Sequence, residues 1–228
     1  MAELRKAILG EISGALGDIV FRERHGLNYL ATRPSSFMPG TDLAAVSRRA
    51  RFALTGKASQ SVNRIPVLKM LWANAYSNGM SPFNYIFKSN YRFITASEIS
   101  DLLKIVPDNG FGVAISSSTV DKTKVQVITE AIGTNAGIDP LAEPDIMLVG
   151  IIFLTSPTNE SMDAYSLLSV VSPSQAINLA DPLTFEANLT NQQQVIFDNY
   201  QVTKTFVALV TLDVVGIPVH YSSTALLG

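Results

Sequence analysis

PDNGFGVAISS, residues 107–117, is the stretch on which the fold turns. Pro107-Asp108-Asn109-Gly110 is a dense turn cluster: proline fixes φ, while Asp, Asn and Gly accommodate the tight backbone that follows. Upstream, apolar residues recur at helical spacing. Downstream that spacing vanishes, and short β-prone runs are separated by Gly, Pro, Asn, Asp or Ser. The runs are Phe111–Ser117, Thr123–Ala131, Asp145–Thr155, Tyr165–Val171, Leu183–Leu189, Thr203–Val214 and Pro218–Ala225. Seven short strands in about 120 residues predict an antiparallel β-sandwich of the immunoglobulin or fibronectin type. The chain has no cysteine, and its one tryptophan, Trp72, precedes these runs, so the fibronectin-like form fits better. Gly133–Pro144 and Thr155–Ala164 are expected to be exposed loops at the ends of the sandwich.

Upstream, Asp18–Arg24 and Leu27–Arg33 are β-prone runs flanking His25-Gly26, a pair suited to a tight turn. Pro34 ends the second run because proline brings no donor to a ladder. Thr41 is the expected N-cap of the next element, with the Asp42 carboxylate in its first turn. Leu43, Val46, Ala50, Leu54 and Ala58 then predict an amphipathic helix over about 42–64. Pro66 restarts it, and Ser81-Pro82 caps and opens a short helix through Phe87. Glu98–Ile105 fits either a short helix or an extended segment. The expected fold class is therefore α+β: an N-terminal β-hairpin and helices (1–108), followed by a β-sandwich domain (109–228).

Charge divides at the same place. Over all 228 residues the net charge is −2, but residues 1–108 carry +6 and residues 109–228 carry −8. Such polarity suits copies stacking head to tail, positive half against negative, and it also marks chains that contact polyanions. Hydrophobic residues make up 47% and charged residues only 16%, a balance that excludes an intrinsically disordered chain. Without cysteine there is no disulfide, thiolate nucleophile or cysteine-held metal, and His25 and His220 are the only histidines. The apolar runs Ile146–Leu154 and Phe206–Leu212 fall far short of the roughly 20 residues needed to span a bilayer. The start shows no secretory signal. The expectation is a protein made in the cytoplasm, without membrane insertion, that reaches a virion or an extracellular assembly by other means.

Arg48, Arg49 and Arg51, with Arg64, form the densest basic stretch, and Arg48 and Arg51 share a helical face. They are the candidate contacts to a neighbouring acidic subunit or a polyanion. Ile19, Phe21, Leu27 and Tyr29 of the hairpin are candidates for strand pairing with a neighbour. Gly10, Gly14 and Gly17 read as turn or flexible-arm glycines, because a strand follows them where a phosphate loop would lead into a helix. Asp139, Glu143, Asp145, Glu160 and Asp163 are assigned to solubility. His220 reads as one position of an alternating strand, and Trp72, Tyr76, Phe83 and Phe87 as core aromatics. No nucleophile–base pair or metal set is legible, so neither enzymatic activity nor a cofactor is expected.

The ordered blocks Gly-x-x-Gly-Asp-Ile-Val-Phe-Arg (14–22), Gly-Leu-Asn-Tyr…Arg-Pro (26–34), Arg-Arg-Ala-Arg-Phe (48–52) and Gly-Met-Ser-Pro-Phe-Asn-Tyr-Ile-Phe (79–87) resemble a family of uncharacterised proteins common in Bacteroidota and their phages. The resemblance covers about residues 10–110. It implies a glycine-rich hairpin, an Arg-Phe helix, a Ser-Pro-Phe-Asn segment and a β-rich end, and it carries no catalytic residue. Three functions follow, in order of expectation. The first is a self-assembling structural protein, either a virion component or a filament subunit, whose partners are its own copies or other particle proteins. The second is a binding module whose loops recognise a glycan or cell-surface receptor. The third, less favoured, is nucleic-acid contact through the arginine helix.

Overall fold

The computed structural model describes residues 14–24, 27–32, 36, 38–75 and 79–227. The fold is α+β. In contacts the chain divides between Val46 and Ser47.

In the first unit, β1 (Gly14–Leu16), β2 (Ile19–Arg24) and β3 (Leu27–Thr32) form an antiparallel sheet in that order. Leu16 pairs with Ile19 across the two-residue turn Gly17-Asp18, and Arg24 pairs with Leu27. Gly14 is thus a strand residue, not the turn or arm residue its neighbours Gly10 and Gly17 suggest. The predicted turn His25-Gly26, the stop at Pro34, and Gly10 and Tyr76 lie outside the described residues.

Helix α1 (Leu43–Arg64) follows. Asp42 is its cap: the carboxylate accepts from the Ala45 amide at 2.7 Å and the carbonyl accepts from Val46 at 3.0 Å. The capping role falls one residue after Thr41 because Asp42 is in register with the third helical amide. Pro66 opens α2 (Pro66–Asn74), and Ser81, accepting from the Asn84 amide, caps α3 (Pro82–Asn90). The segment 98–105 is neither helix nor strand. Buried Asn90 pins it, donating to the Lys104 carbonyl and accepting from the Lys104 amide, both at 2.8 Å.

The strands after Gly110 form two antiparallel sheets. One holds β4 (Ile115–Val120), β5 (Lys124–Thr129) and β9 (Thr184–Asn188). The other runs β11 (Pro218–Tyr221), β10 (Tyr200–Leu212), β6 (Asp145–Pro157), β7 (Tyr165–Val171). Two short strands join it: β8 (Gln175–Ala176) on β6 and β12 (Ala225–Leu227) on β10. Between β9 and β10 lies α4 (Asn191–Phe197), which the sequence reading missed.

The two long central strands are buried on both faces, which accounts for their unbroken apolar sequence. Met147, Val149, Ile151 and Phe153 of β6 and Phe206, Ala208 and Val210 of β10 pack against Leu54, Val62, Leu68, Trp72 and Ile86 of the helices. The alternate residues Ile146, Leu148, Ile152 and Leu154, with Val207 and Leu209, pack against Val125, Val127, Phe185 and Ala187 of the smaller sheet. The order in depth is helices, large sheet, small sheet. The helices from Ser47 onward therefore share a core with the strands. The step at 108/109 is a change of charge and element type inside one packed unit.

Candidate functional site

The outer face of the helices is cationic. Residues 47–90 contain seven Lys or Arg and no Asp or Glu. Leu54, Ala58 and Val62 turn α1 inward, which leaves Arg48, Arg49 and Arg64 exposed. Arg51 is different. Its Nε and Nη2 donate to the Tyr91 carbonyl at 3.1 and 2.6 Å, and its guanidinium lies 4.1 Å from the Tyr91 ring centre. It is committed within the fold and is not the free fork the sequence implied.

Beside these arginines the helices present aromatic rings. Phe52 is 61% exposed and lies 4.8 Å from Phe87, which in turn stacks on Tyr91 at 5.6 Å and contacts Phe83 at 6.3 Å. Trp72 is buried, as expected, and donates to the Ile105 carbonyl at 2.9 Å. Phe83 and Phe87 are only half-buried, so they belong to this surface ladder. Aromatic and arginine side chains are the groups enriched in protein interfaces. Of the hairpin candidates, Ile19 is exposed, Phe21 and Tyr29 are half-buried, and Leu27 pairs with Arg24 in register.

The opposite charge gathers at one end of the large sheet. Asp145 pairs with both Leu212 and Ala176, which brings segments 133–145, 172–183 and 212–220 together. These segments carry Asp139, Glu143, Asp145, Asp181 and Asp213 and no Lys or Arg. Glu143 is 3% exposed. It accepts from the Thr211 hydroxyl and lies 2.8 Å from His220 Nδ1, which ties loop 133–144 to the β10–β11 hairpin. Ile138 of this loop is buried too. The loop is therefore anchored, Glu143 does more than confer solubility, and His220 has a carboxylate partner. Seventy-seven residues separate Glu143 and His220, and no local pattern in the sequence links them.

The hairpin tip is equally fixed. The Asp213 carboxylate accepts from the amides of Val215 and Ile217, both at 2.8 Å, and Gly216 turns at φ +85°. This rigid turn holds Val214 and Val215 77% exposed, and the adjoining loop holds Leu141 90% exposed.

At the other end of the sheet a cleft of about 400 Å³ lies among Glu98, Phe153, Ser156, Tyr165, Val202 and Lys204. Ser156 sits at φ +58°, a strained conformation for a residue with a side chain. Lys57 approaches the Tyr165 ring centre to 4.8 Å and Asp163 to 3.5 Å. The Tyr200 hydroxyl donates to the Asp163 carbonyl, and burial pushes its pKa up. No protein-family model and no curated protein matches the chain.

Proposed function

We propose that the chain is a non-enzymatic, self-assembling structural protein, a virion component or the subunit of an extracellular filament. The observation that carries this reading is a pair of exposed apolar surfaces of opposite charge in one packed unit. One is the Phe52 ladder beside the basic residues of α1 and α3; the other is the Val214-Val215 tip beside the acids of segments 133–145, 172–183 and 212–220.

Strand edges give further support. Among the described residues β3 pairs with a strand on one side only, and such an edge is a template for a second chain. The finer fold reading, an immunoglobulin- or fibronectin-like sandwich, rests on strand order. Leaving aside β8 and β12, the first, second and fifth strands after Gly110 form one sheet and the third, fourth, sixth and seventh the other. Size-exclusion chromatography with light scattering tests the assembly, and negative-stain microscopy shows its form. Multimers that weaken when residues 1–34 are removed support pairing through Ile19, Phe21, Leu27 and Tyr29. A strictly monomeric full-length chain at high concentration contradicts self-assembly.

The cleft favours a second reading, a binding module for a glycan or surface receptor. Among its lining residues, the Tyr165 ring, the Ser156 and Thr155 hydroxyls, Glu98 and Lys204 suit a polyhydroxylated ligand. A glycan array probed with wild type and with Tyr165→Ala tests it: loss of a positive signal in the variant supports the reading, and a blank array for both rejects it.

A further inference from the structure

We propose that copies of this chain join head to tail, the acidic β10–β11 tip of one seated on the cationic aromatic face of α1 and α3 of the next. The inference rests on the self-assembly reading and names its contact.

Three observations select a second copy as the occupant. The first is charge. The helices, residues 47–90, hold seven basic residues and no acid of their own, with Lys57 paired to Asp163 and Arg51 to the Tyr91 carbonyl, while the three segments at the tip end hold five acids, Glu143 paired to His220, and no Lys or Arg. Each surface repels its own kind and attracts the other, so the same patch cannot face itself across a two-fold axis. The second is apolar match. Val214 and Val215 at the tip and Leu141 on the adjoining loop are exposed, and on the helix face Phe52 offers an exposed ring one turn from Arg48. Aromatic and arginine side chains are enriched at interfaces, and the aliphatic tip gives them apolar area to cover.

The third is preorganisation. Asp213 holds the tip through two amides, and Glu143 fastens the neighbouring loop through Thr211 and His220. Little ordering entropy is then lost on docking, a cost that would otherwise add to the translational and rotational freedom given up. On the other side, Arg51 and Tyr91 brace the aromatic ladder on which Phe52 rests. Because the two patches differ, the contact is heterologous: a joined pair keeps a free face at one end and a free tip at the other, so growth continues into a ring or a filament.

Two blocked chains test this. Val214→Asp with Val215→Asp disables the tip and keeps the face; Arg48→Glu with Phe52→Glu disables the face and keeps the tip. All four positions are exposed, so circular dichroism and the melting temperature should stay near wild type. Should the double aspartate variant unfold, Val215→Ser replaces it, with at least tenfold weaker self-association expected. By light scattering each blocked chain should be monomeric where wild type associates, and an equimolar mixture should yield a two-chain species that grows no further. If either blocked chain assembles like wild type, or the mixture stays monomeric, the contact is overturned while self-assembly stands. If wild type itself stays monomeric, both the contact and the assembly reading fall.

Discussion

Gly150 shows how tightly the centre of the molecule is drawn. A Cβ there would stand 2.6 Å from the Phe206 carbonyl oxygen and 3.0 Å from Val207, so backbone would have to move. Gly150→Ala should destabilise the protein by about 1–3 kcal/mol, read as a lower melting temperature. Ser59 predicts the opposite sign. Its hydroxyl is buried on α1 without a hydrogen-bond partner among the described residues. Ser59→Ala removes that unsatisfied group and improves helix propensity, and should stabilise by about 1 kcal/mol in denaturant titration. Asp121 governs the β4–β5 turn. Its carboxylate accepts from the Thr123 hydroxyl and amide and from the Lys124 amide, with the Thr123 hydroxyl contributing most, and its pKa is lowered from 3.8. A depressed folded-state value contributes stability that is fully present above pH 3.8 and is lost as pH falls through the lower folded value. Asp121→Asn should therefore narrow the gap between stability at pH 6 and at pH 3, measured by urea denaturation at both.

Among the elements, the Glu143 junction adds a buried side-chain tie between loop 133–144 and the β10–β11 hairpin beyond the ladder that joins β6 to β10. Glu143→Ala should cost about 1–3 kcal/mol, since Thr211 and His220 lose a buried partner. It should also raise hydrogen exchange in both loop 133–144 and the β10–β11 hairpin; exchange rising in only one of them would deny the coupling. The elements differ in how plainly the sequence announces them. Tyr165–Val171 is bounded by punctuation at both ends, and the strand occupies those same residues. The apolar spacing from Leu43 to Ala58 likewise marks α1 to within a residue. Helix α4 also has a local signal, the Thr190–Gln193 capping box, in which Thr190 accepts from the Gln193 amide and Gln193 answers to the Thr190 amide. Its seven residues are four polar ones followed by Val195-Ile196-Phe197 in a row, a block without helical spacing, so hydrophobic periodicity passes over them. What no window of sequence contains is the partner of the second face of β6 and β10. A continuous apolar run reports burial on both sides without naming the cover. The helical cover over one face, the surface placement of Phe83 and Phe87, and the Glu143–His220 pair all depend on contacts between distant segments.

On the scale of the whole molecule, the division of charge read from the sequence acquires shape within the unit that starts at Ser47. Cations line the outside of the helices, and acids surround the tip end of the large sheet. Association driven by such surfaces should weaken with salt, because screening shortens the reach of exposed charges to about 8 Å near physiological ionic strength. An assembly held by apolar contacts alone would instead hold or strengthen. The most direct measurement is the mass of the full-length chain by light scattering, across a hundredfold range of concentration at low and high salt. The account predicts a mass that climbs above the 24.6 kDa of one chain as concentration rises and falls back as salt is added. A constant mass of one chain under every condition would contradict it.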